Sequence, residues 1–494
     1  MTDDSIFPDP VYRDTVLAPL FEGVKTHYAE GMDAINRAHL VMLAETGILT
    51  PDAAGALARA LEDMRETTDV QALTYTGEHE DYFFWVEAEL KARLGDQGGA
   101  LHTARSRNDM DHTLFKLALK GRAAALMDEA LTLVDALIAK ARAEKATLIV
   151  AYTHGQPAQP TTFGHYLGAM IEVLLRDAVR LEAAIEDLDH CPMGAAAITT
   201  SGFPIDRALV SDLLGFKEPL LNSYGCIASV DYVTGLYSAI KLMILHLGRV
   251  IQDLQVWTSF EVAQLYVPNA LVQICSIMPQ KRNPVPIEHM RHLASMTVGR
   301  CDAVVMTMHN TPFTDMNDSE GEVQQAGYAA FDSASRVLRL MTALLPACSI
   351  NADRVRATTD AACITITELA DTLVRADGLT FRAAHEVAAE TARTVIAENK
   401  SLSDGFAAFL NAFEHVTGCA SRLDSAAFSA ATAPETFVAR RAHPGGPAEP
   451  ALNDALKIYA TRASTLRATA KTRADRAQAA KATLAAGFKT LTET

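Results

Sequence analysis

The segment between residues 275 and 284 contains groups able to move a proton. It reads Cys275-Ser276-Ile277-Met278-Pro279-Gln280-Lys281-Arg282-Asn283-Pro284. A free cysteine thiol has a pKa of about 8.5, and a neighbouring lysine lowers it further. The pattern therefore predicts that Cys275 ionises readily beside Lys281. Such a thiolate is basic enough to take a proton from a carbon acid.

A second polar segment has the composition of a carboxylate-binding site. It reads Leu101-His102-Thr103-Ala104-Arg105-Ser106-Arg107-Asn108-Asp109 and precedes a long stretch of helical periodicity. Arginine offers a bidentate fork to a carboxylate, and a helix N-terminus adds free amide donors and a positive dipole end. Asn108 or Asp109 could instead be an ordinary helix cap, and both interpretations stay open.

The third segment is a polar turn with a histidine between two prolines. It reads Tyr152-Thr153-His154-Gly155-Gln156-Pro157-Ala158-Gln159-Pro160. Histidine titrates near neutrality and can give or take a proton, although many loop histidines do neither. Glu288 opens the helix that follows the first segment described above. It could orient such a histidine or be an ordinary first-turn charge.

These three segments resemble the three signature regions of the fumarase/aspartase superfamily, in the same order and at similar separations. One of those regions reads Gly-Ser-Ser-x-Met-Pro-x-Lys-x-Asn-Pro, which Met278 to Pro284 match. The segment at 102–109 is similar to that of argininosuccinate lyases, His-Thr-Gly-Arg-Ser-Arg-Asn-Asp. Further similarity is found at residues 95–99, 194–197, 205–207, 222–223 and 378–385. The resemblance therefore covers nearly the whole chain.

The resemblance implies a role for each matching position. Cys275 stands where the family has its catalytic base, a serine. Lys281 and Asn283 would bind the carboxylate next to the carbon that loses its proton. His154, paired with Glu288, would protonate the leaving group or fix a water that does so. The other expected substrate contacts are Ser106, Arg107, Asn108, Thr153, Gln156 and Met278.

The chemical centre of this loop departs from the family pattern, because Cys275 replaces the serine and Ile274 replaces the glycine. Three alternatives follow: Cys275 is an active thiolate base, Ser276 has taken over that role, or the protein has lost elimination. Ile274 lacks the access of glycine to positive φ, so we expect a different or stiffer loop path.

A further departure concerns the distal end of the substrate. Argininosuccinate lyases carry Tyr-Asn-x-Asp-x-Gln-x-x-Lys, and residues 315–323 place Asp315, Glu320 and Val323 at the Tyr, Gln and Lys positions. A pocket that loses a cation and gains two acids disfavours a distal carboxylate and favours a cationic group. Argininosuccinate is therefore disfavoured as the substrate, unless this acidic run is a solvated loop.

The elements that position these segments are predicted to be helices. Between Pro219 and Pro268, apolar residues recur at spacings of three and four, which predicts one long helix. Similar stretches cover about 110–148, 162–188, 287–308 and 323–345, so five long helices are expected in a central bundle. Several of them are apolar on more than one face, which favours oligomerisation.

The predicted fold class is all-α. The resemblance implies a three-domain fumarase/aspartase-type protomer with a central five-helix bundle. Four protomers would form a homotetramer with a twenty-helix core, and each active site would draw on three subunits. The predicted domains are an N-terminal helical domain (1–109), the central bundle (110–358) with the catalytic loop (268–286), and a small helical C-terminal domain (359–494). The Ala/Lys/Arg-rich tail after Ser464 is predicted to be a surface helix.

Composition limits the partners and the compartment. A net charge of −16 argues against nucleic-acid binding. Seven scattered cysteines without a Cys-x-x-Cys pair argue against disulfides and a zinc site, and fit the cytoplasm. No apolar run approaches the roughly 20 residues of a membrane span. The start of the chain lacks the pattern of a secretory signal, and the resemblance implies no cofactor or metal.

The expected activity is that of a carbon–nitrogen lyase. It would convert an N-substituted aspartate into fumarate and an amine by reversible β-elimination, or add the amine in reverse. The alternatives are a carboxymuconate-type cycloisomerase or a carbon–oxygen lyase of the same superfamily. A catalytically inactive structural or binding tetramer is another, although the retained Lys281, Asn283, His154 and Glu288 argue against it.

Overall fold

The computed structural model describes residues 7–494, and its N-terminal part consists of short helices. They are α1 (Pro10–Tyr12), α2 (Ala18–His27), α3 (Ala29–Glu45), α4 (Pro51–Thr67) and α5 (Tyr82–Leu94), with a π-helical turn at Arg13–Leu17 and 3-10 turns at Val70–Ala72 and Gly95–His102. Buried residues from Phe21 to Leu101 belong to the same hydrophobic core as the central helices. The N-terminal part therefore packs directly on the centre of the molecule.

Five long helices form that centre, as the apolar spacing predicted. In chain order the helices are α6 (Arg107–Ala143), α7 (Phe163–Leu188), the short α8 (Arg207–Leu213) and α9 (Ser223–Ala228), then α10 (Asp231–Trp257), α11 (Val285–Thr307) and α12 (Gly321–Ala347). Each long helix packs against the next one in the chain, and α12 also packs against α6. The all-α prediction is confirmed. None of the helices in residues 7–494 combines the length and hydropathy that a membrane span needs.

Strands occur only as short pairs within residues 7–494. They are β1 (Leu148–Thr153) with β2 (Gln156–Thr162), β3 (His190–Cys191) with β4 (Glu218–Pro219), β5 (Leu265–Tyr266) with β8 (Ser349–Ile350), and β6 (Gln273–Ile274) with β7 (Arg282–Asn283). All pairs are antiparallel except β3 with β4. Two of these pairs present predicted site residues: β1–β2 forms a hairpin around His154, and β6–β7 closes the base of the catalytic loop.

The long helices alternate in direction, so the bundle has two distinct ends. The start of α6, the ends of α7 and α11 and the starts of α10 and α12 meet at one end, which we call the cavity end. There the side chain of His112 contacts Tyr232 at 3.3 Å. The β1–β2 hairpin and the catalytic loop lie at the other end, the hairpin end. There Tyr166 donates a hydrogen bond to Asp253 (2.8 Å), and the Gln264 amide bonds the backbone of Val150.

The C-terminal part divides into a small cluster and one very long helix. The cluster contains α13 (Ala352–Ala361), α14 (Ile366–Ala376), α15 (Phe381–Ala397), α16 (Phe406–Thr417), α17 (Ser425–Thr432) and α18 (Pro434–Ala439). Helix α19 (Glu449–Glu493) has 45 residues and packs along α6, α7, α4 and α3. It starts before the predicted tail helix and buries Leu452, Leu466 and Phe488 in the main core. We therefore propose that the C-terminal domain is confined to about residues 359–448.

The start of α6 is fixed by a capping box. Ser106 is the N-cap, and its backbone N–H donates to Asp109 Oδ1 at 2.9 Å. The other carboxylate oxygen of Asp109 accepts backbone hydrogen bonds from Gly194 and Ala196, both at 2.9 Å. Asp109 itself is fully buried. The N-cap is thus Ser106, and neither Asn108 nor Asp109 is the plain N-cap that the sequence allowed. Asp109 instead completes the capping box from the third helical position and ties the predicted carboxylate-binding segment to the turn after α7.

We predict that Asp109→Ala lowers the free energy of unfolding by about 3 kcal/mol, because it removes three hydrogen bonds to a buried carboxylate and leaves their backbone donors unpaired. Denaturant unfolding followed by circular dichroism measures this change. The matched control is Asp128→Ala, an exposed acid of the same helix, for which we expect a change within about 0.5 kcal/mol. Equal midpoints for the two variants would contradict the capping role.

Candidate active site

The predicted carboxylate-binding segment opens into a cavity of about 530 Å³ at the cavity end. Another cavity, of about 690 Å³, and a larger groove lie on other parts of the chain. Its lining is predominantly polar. The lining residues are Glu80, Phe83, Phe84, His102, Ser106, Arg107, Asn108, Asp111, Asp315, Met316, Asn317 and Glu320. The predicted Ser106, Arg107 and Asn108 are thus brought together with Asp315 and Glu320, the two acids predicted at the distal end. Val323 does not line this cavity and packs against the core.

Arg107 and Asn108 are both engaged within the chain. The Arg107 guanidinium forms ion pairs with Glu80 and Asp81, each at 3.1 Å. The Asn108 side-chain amide donates to the carbonyl of Ala197 at 3.1 Å, while its oxygen accepts from the Ser106 hydroxyl at 3.2 Å. These contacts hold the side chains of the segment in one conformation. A ligand that enters the cavity therefore meets them without a large rearrangement of the segment.

The cavity contains a further acidic side chain, Asp111, beside the two acids that the sequence predicted. Asp111 follows Arg107 by four residues, one helical turn, so the two side chains share a face of α6. Burial raises the pKa of Asp111 well above its usual value, although Arg107 lowers it. Burial also raises the pKa of Glu320 to about 7, and the charge of Asp315 adds to this effect. The sequence analysis did not predict Asp111 as a site residue. Its spacing of four residues from Arg107, at the start of a predicted helix, could have indicated that the two side chains share a face.

The β1–β2 hairpin presents the second segment on a tight turn. His154 and Gly155 are its two central residues, with φ of 53° and 75°, the left-handed pair that a type I′ turn requires. Thr153 pairs with Gln156 across the strand ends. The side chains of Thr153, His154 and Gln156 are exposed. This turn therefore projects the three predicted residues away from the body of its own chain.

The catalytic loop forms a second projecting hairpin. Its strands β6 and β7 pair Gln273 with Asn283, and the Cys275 N–H donates to the Lys281 carbonyl at 3.4 Å. Arg282 secures the base of the loop by donating to the Val267 carbonyl at 2.7 Å and to the Asn269 side chain at 2.9 Å. Ser276, Met278 and Lys281 are exposed at the tip. Ile274 lies in β6 and does not need the positive φ of a glycine there.

The loop geometry favours ionisation of Cys275. The pKa of the thiol is lowered, most by the backbone N–H groups of Ile277 and Met278 and least by the positive charge of Lys281. Burial opposes these effects and outweighs the contribution of Lys281, but it is smaller than that of either amide, and the thiol is partly exposed. The arrangement thus stabilises a thiolate at the position where the resemblance expects the base.

The predicted pair between His154 and Glu288 is not formed within one chain. Glu288 is exposed in the first turn of α11, and no hydrogen bond or ion pair joins it to His154 within residues 7–494. Likewise, within residues 7–494 no hydrogen bond or ion pair joins the residues that line the cavity to either projecting hairpin. The three predicted groups of residues are each assembled locally, but the single chain does not bring them into one site.

The length of α6 explains this separation. Its 37 residues span about 55 Å, with Ser106 preceding its first residue and the β1–β2 hairpin following its last turn. Loop movement cannot close such a distance, so a site that uses both Ser106 and His154 needs more than one chain. Within residues 7–494, no cluster of three or more His, Cys, Asp or Glu residues is arranged to hold a metal ion.

Comparison with known proteins agrees with this architecture. The family model described as lyase matches residues 24–299, and the one described as argininosuccinate lyase C-terminal matches residues 363–439. Argininosuccinate lyase 2 from Agrobacterium fabrum is 57% identical over 99% of this chain and 98% of its own length. Argininosuccinate lyase from Methanothermobacter thermautotrophicus is 33% identical over 85% of this chain and 90% of its own.

Solved structures give the same assignment. A variant of EDDS lyase with bound fumarate superposes with a TM-score of 0.86 at 27% identity, covering 99% of both chains. A 3-carboxy-cis,cis-muconate lactonizing enzyme from Pseudomonas putida has a TM-score of 0.69 at 18% identity over 93% of this chain and 99% of its own, which shows a shared fold alone.

The helical bundle with two projecting hairpins defines an all-α lyase. The chain belongs to the fumarase/aspartase superfamily and is argininosuccinate lyase-like within it. It is accordingly a carbon–nitrogen lyase.

We predict that iodoacetamide alkylates Cys275 faster than Cys419 at about pH 7, by about threefold or more, because the lowered pKa increases the thiolate fraction. Cys419 is the internal control, since its side chain is exposed and lies outside the loop. Peptide mass spectrometry over time measures both rates. Lys281→Gln should slow the Cys275 reaction by only about twofold, because the two backbone amides contribute more than the lysine. Equal rates for both cysteines would contradict thiolate stabilisation.

Proposed function

We propose that the protein catalyses reversible β-elimination of an N-substituted aspartate, which yields fumarate and an amine. The observation that carries this proposal is the projecting loop, in which the β6–β7 pairing and the Cys275 N–H bond to the Lys281 carbonyl hold the two residues together and the pKa of the Cys275 thiol is lowered. The 57% identity to an argininosuccinate lyase and the likeness to a lyase structure with bound fumarate support it.

The reaction needs a base and a means of stabilising negative charge. The carbon beside the carboxylate is a weak acid, and its proton leaves only if the resulting aci-carboxylate is stabilised. In our proposal the Cys275 thiolate takes this proton, while Lys281 and Asn283 bind the carboxylate. His154, oriented by Glu288 of another subunit, protonates the departing nitrogen or positions a water that does so. The carbon–nitrogen bond then breaks and the double bond of fumarate forms.

The other substrate contacts are assigned in the same way. Ser106, Arg107 and Asn108 from the cavity end, with Thr153, Gln156 and Met278 from the two hairpins, surround the succinyl part. The ion pairs of Arg107 with Glu80 and Asp81 show that this side chain already has local partners. We therefore propose Ser106 and Asn108 as the principal succinyl ligands of that segment, with Arg107 supplying positive charge nearby.

The assembly we propose is a homotetramer with shared sites. Exposed apolar side chains on α7, α10 and α11 support this, since helices of a bundle bury such faces by association. They include Val179, Leu242, Leu245, Met296 and Met306. The cytoplasm is the proposed compartment, because all seven cysteines are free thiols.

A substrate other than argininosuccinate is part of the proposal. Asp315 and Glu320 line the cavity with Ser106 and Asn108, which supports the interpretation that they face the distal end of the substrate. The two relatives described above are argininosuccinate lyases, so argininosuccinate is the competing candidate substrate. Comparing argininosuccinate cleavage with amine addition decides between them.

We predict that the purified protein consumes fumarate when an amine acceptor is present, measured as loss of the ultraviolet absorbance of fumarate. Cys275→Ala should lower this rate by about a hundredfold or more while fumarate binding is retained, because the variant removes the base and spares the carboxylate ligands. Ser276→Ala is the matched variant one residue away. If it loses the activity and Cys275→Ala keeps it, Ser276 is the base. Fumarate binding without turnover in the unmodified protein would instead favour the inactive binding tetramer.

We predict complementation between subunits. Asn108→Ala and Cys275→Ala should each be inactive, yet protein refolded from an equal mixture should recover about a quarter of full activity. Each site draws Asn108 and Cys275 from different chains, and each of these residues is intact in about half of the chains. Both are therefore intact together in about a quarter of the sites.

The control is a mixture of Cys275→Ala with Lys281→Ala. Both residues belong to one catalytic loop, so every loop in the mixture carries a defect and no activity should return. Recovery in the control, or none in the test mixture with a confirmed tetramer, would contradict sites shared between Asn108 and Cys275.

A further inference from the structure

The cavity at the start of α6 holds an excess of negative groups. Four carboxyl side chains line it, those of Glu80, Asp111, Asp315 and Glu320, and a fifth, Asp81, is paired with Arg107. The basic groups that face them are Arg107, from the same face of α6, His112, from behind Asp315, and His102, which lines the cavity and lies 3.5 Å from Glu87. Arg107 is already paired with Glu80 and Asp81. No cation other than His112 lies within ion-pair distance of Asp315, and none pairs with Asp111 or Glu320, among the contacts of residues 7–494.

His112 and Asp315 provide a second, independent observation. His112 is fully buried, and its Nε2 lies 3.6 Å from Asp315 Oδ1, which is longer than a hydrogen bond. Both atoms are buried without a hydrogen-bond partner. Buried polar atoms are rarely left unpaired, and exceptions often mark a place where a ligand completes the network. A donor entering the cavity beside Asp315 would satisfy its free oxygen.

We propose that this cavity binds a second positive charge on the amine half of the substrate, so that the enzyme acts on aspartates N-substituted by a diamine-like group without a distal carboxylate. Asp315 and Glu320 are the specificity-determining counterions. The inference rests on the proposed function and adds the chemical class of the amine. Arg107 stays with Glu80 and Asp81, so the incoming cation meets Glu320, which has no ion-pair partner among residues 7–494, and Asp315, which faces only His112.

The cavity is expected to discriminate between amines because the electrostatic free energy of binding differs with the charge at their distal end. A distal ammonium exchanges its water for carboxylate partners in a partly buried cavity, where charge pairs are stronger than at the surface. A distal carboxylate would instead approach like charges after losing its water, which is unfavourable on both counts. The acidic lining therefore separates amines by charge even when their sizes are similar.

The protonation of the lining makes the charge of the cavity depend on pH. The pKa of Glu320 is raised to about 7, mainly by burial and then by Asp315, while that of Asp111 is raised well above its usual value. Below about pH 7 Glu320 holds a proton and is neutral. Above that pH it is ionised and attracts a cation. The affinity for a permanent cation should therefore increase as the pH rises through about 7.

The test compares amines of similar size in the addition to fumarate. The probes are ethylenediamine, aminoethyl-trimethylammonium, the neutral tert-butyl isostere of the latter, and β-alanine. We expect kcat/KM for the two cationic probes to exceed that for the neutral isostere by about tenfold, and β-alanine to be the poorest substrate. For the trimethylammonium probe, which cannot lose its distal charge, KM corrected for ionisation of the reacting amine should fall several-fold between about pH 6 and about pH 8.

Glu320→Gln should reduce the preference for charge to about threefold or less and remove the pH dependence of KM. The control is Glu322→Gln, an exposed acid in the first turn of α12 that lies two residues after Glu320 and outside the cavity, and this variant should keep both properties. A preference for the neutral isostere or for β-alanine, with fumarate consumed, overturns the inference and leaves the proposed lyase reaction standing.

A separate measurement covers the case in which no amine is consumed, which would contradict the proposed function. Calorimetric titration of the protein with aminoethyl-trimethylammonium alone then tests the cavity directly. Binding that is weakened by Glu320→Gln and unchanged by Glu322→Gln supports the cation site. The absence of binding, or equal binding of the tert-butyl isostere, overturns it.

Discussion

The architecture depends on the length of one helix. Helix α6 places the carboxylate-binding segment before its first turn and the histidine hairpin after its last, about 55 Å apart. The catalytic loop lies between α10 and α11, at the same end as the hairpin. Packed helices cannot shorten, so no rearrangement of a single bundle joins the two ends. The chemistry proposed here therefore requires that the hairpin end of one chain meets the cavity end of another.

The surface of the bundle fits that requirement. Between α7, α10 and α11 lies an open groove of about 1030 Å³, lined by apolar residues such as Val173 and Leu245 and by charged ones such as Asp177 and Arg291. Leu245 and Met296 remain exposed on the chain by itself. Antiparallel association of such faces would bury apolar area and would also bring the hairpin end of one chain to the cavity end of another. One interface would thus stabilise the assembly and complete the site.

The sequence predicted the five long helices because each buries a face in the core, which leaves a regular spacing of apolar residues. Helix α19 was only partly predicted, because its alanines and charges look solvent-exposed while Leu452, Leu466 and Phe488 anchor it. The site was predicted as three local segments. The tight turn at His154 and the backbone amides around Cys275 could not be predicted, since they depend on backbone conformation. The buried contact between His112 and Asp315 joins residues about 200 positions apart in the chain, beyond the reach of local pattern.

The two departures from the family pattern are physically compatible with each other. A serine base must be ionised from a very high pKa, which demands a strongly positive site. Additional carboxylates such as Asp111, Asp315 and Glu320 would oppose that ionisation wherever they lie close to the base. A thiol starts from a much lower pKa and needs only the help that two amides and Lys281 provide. A cationic amine bound among the acids would lessen their effect further. An acidic cavity is thus easier to combine with Cys275 than with a serine at the same position.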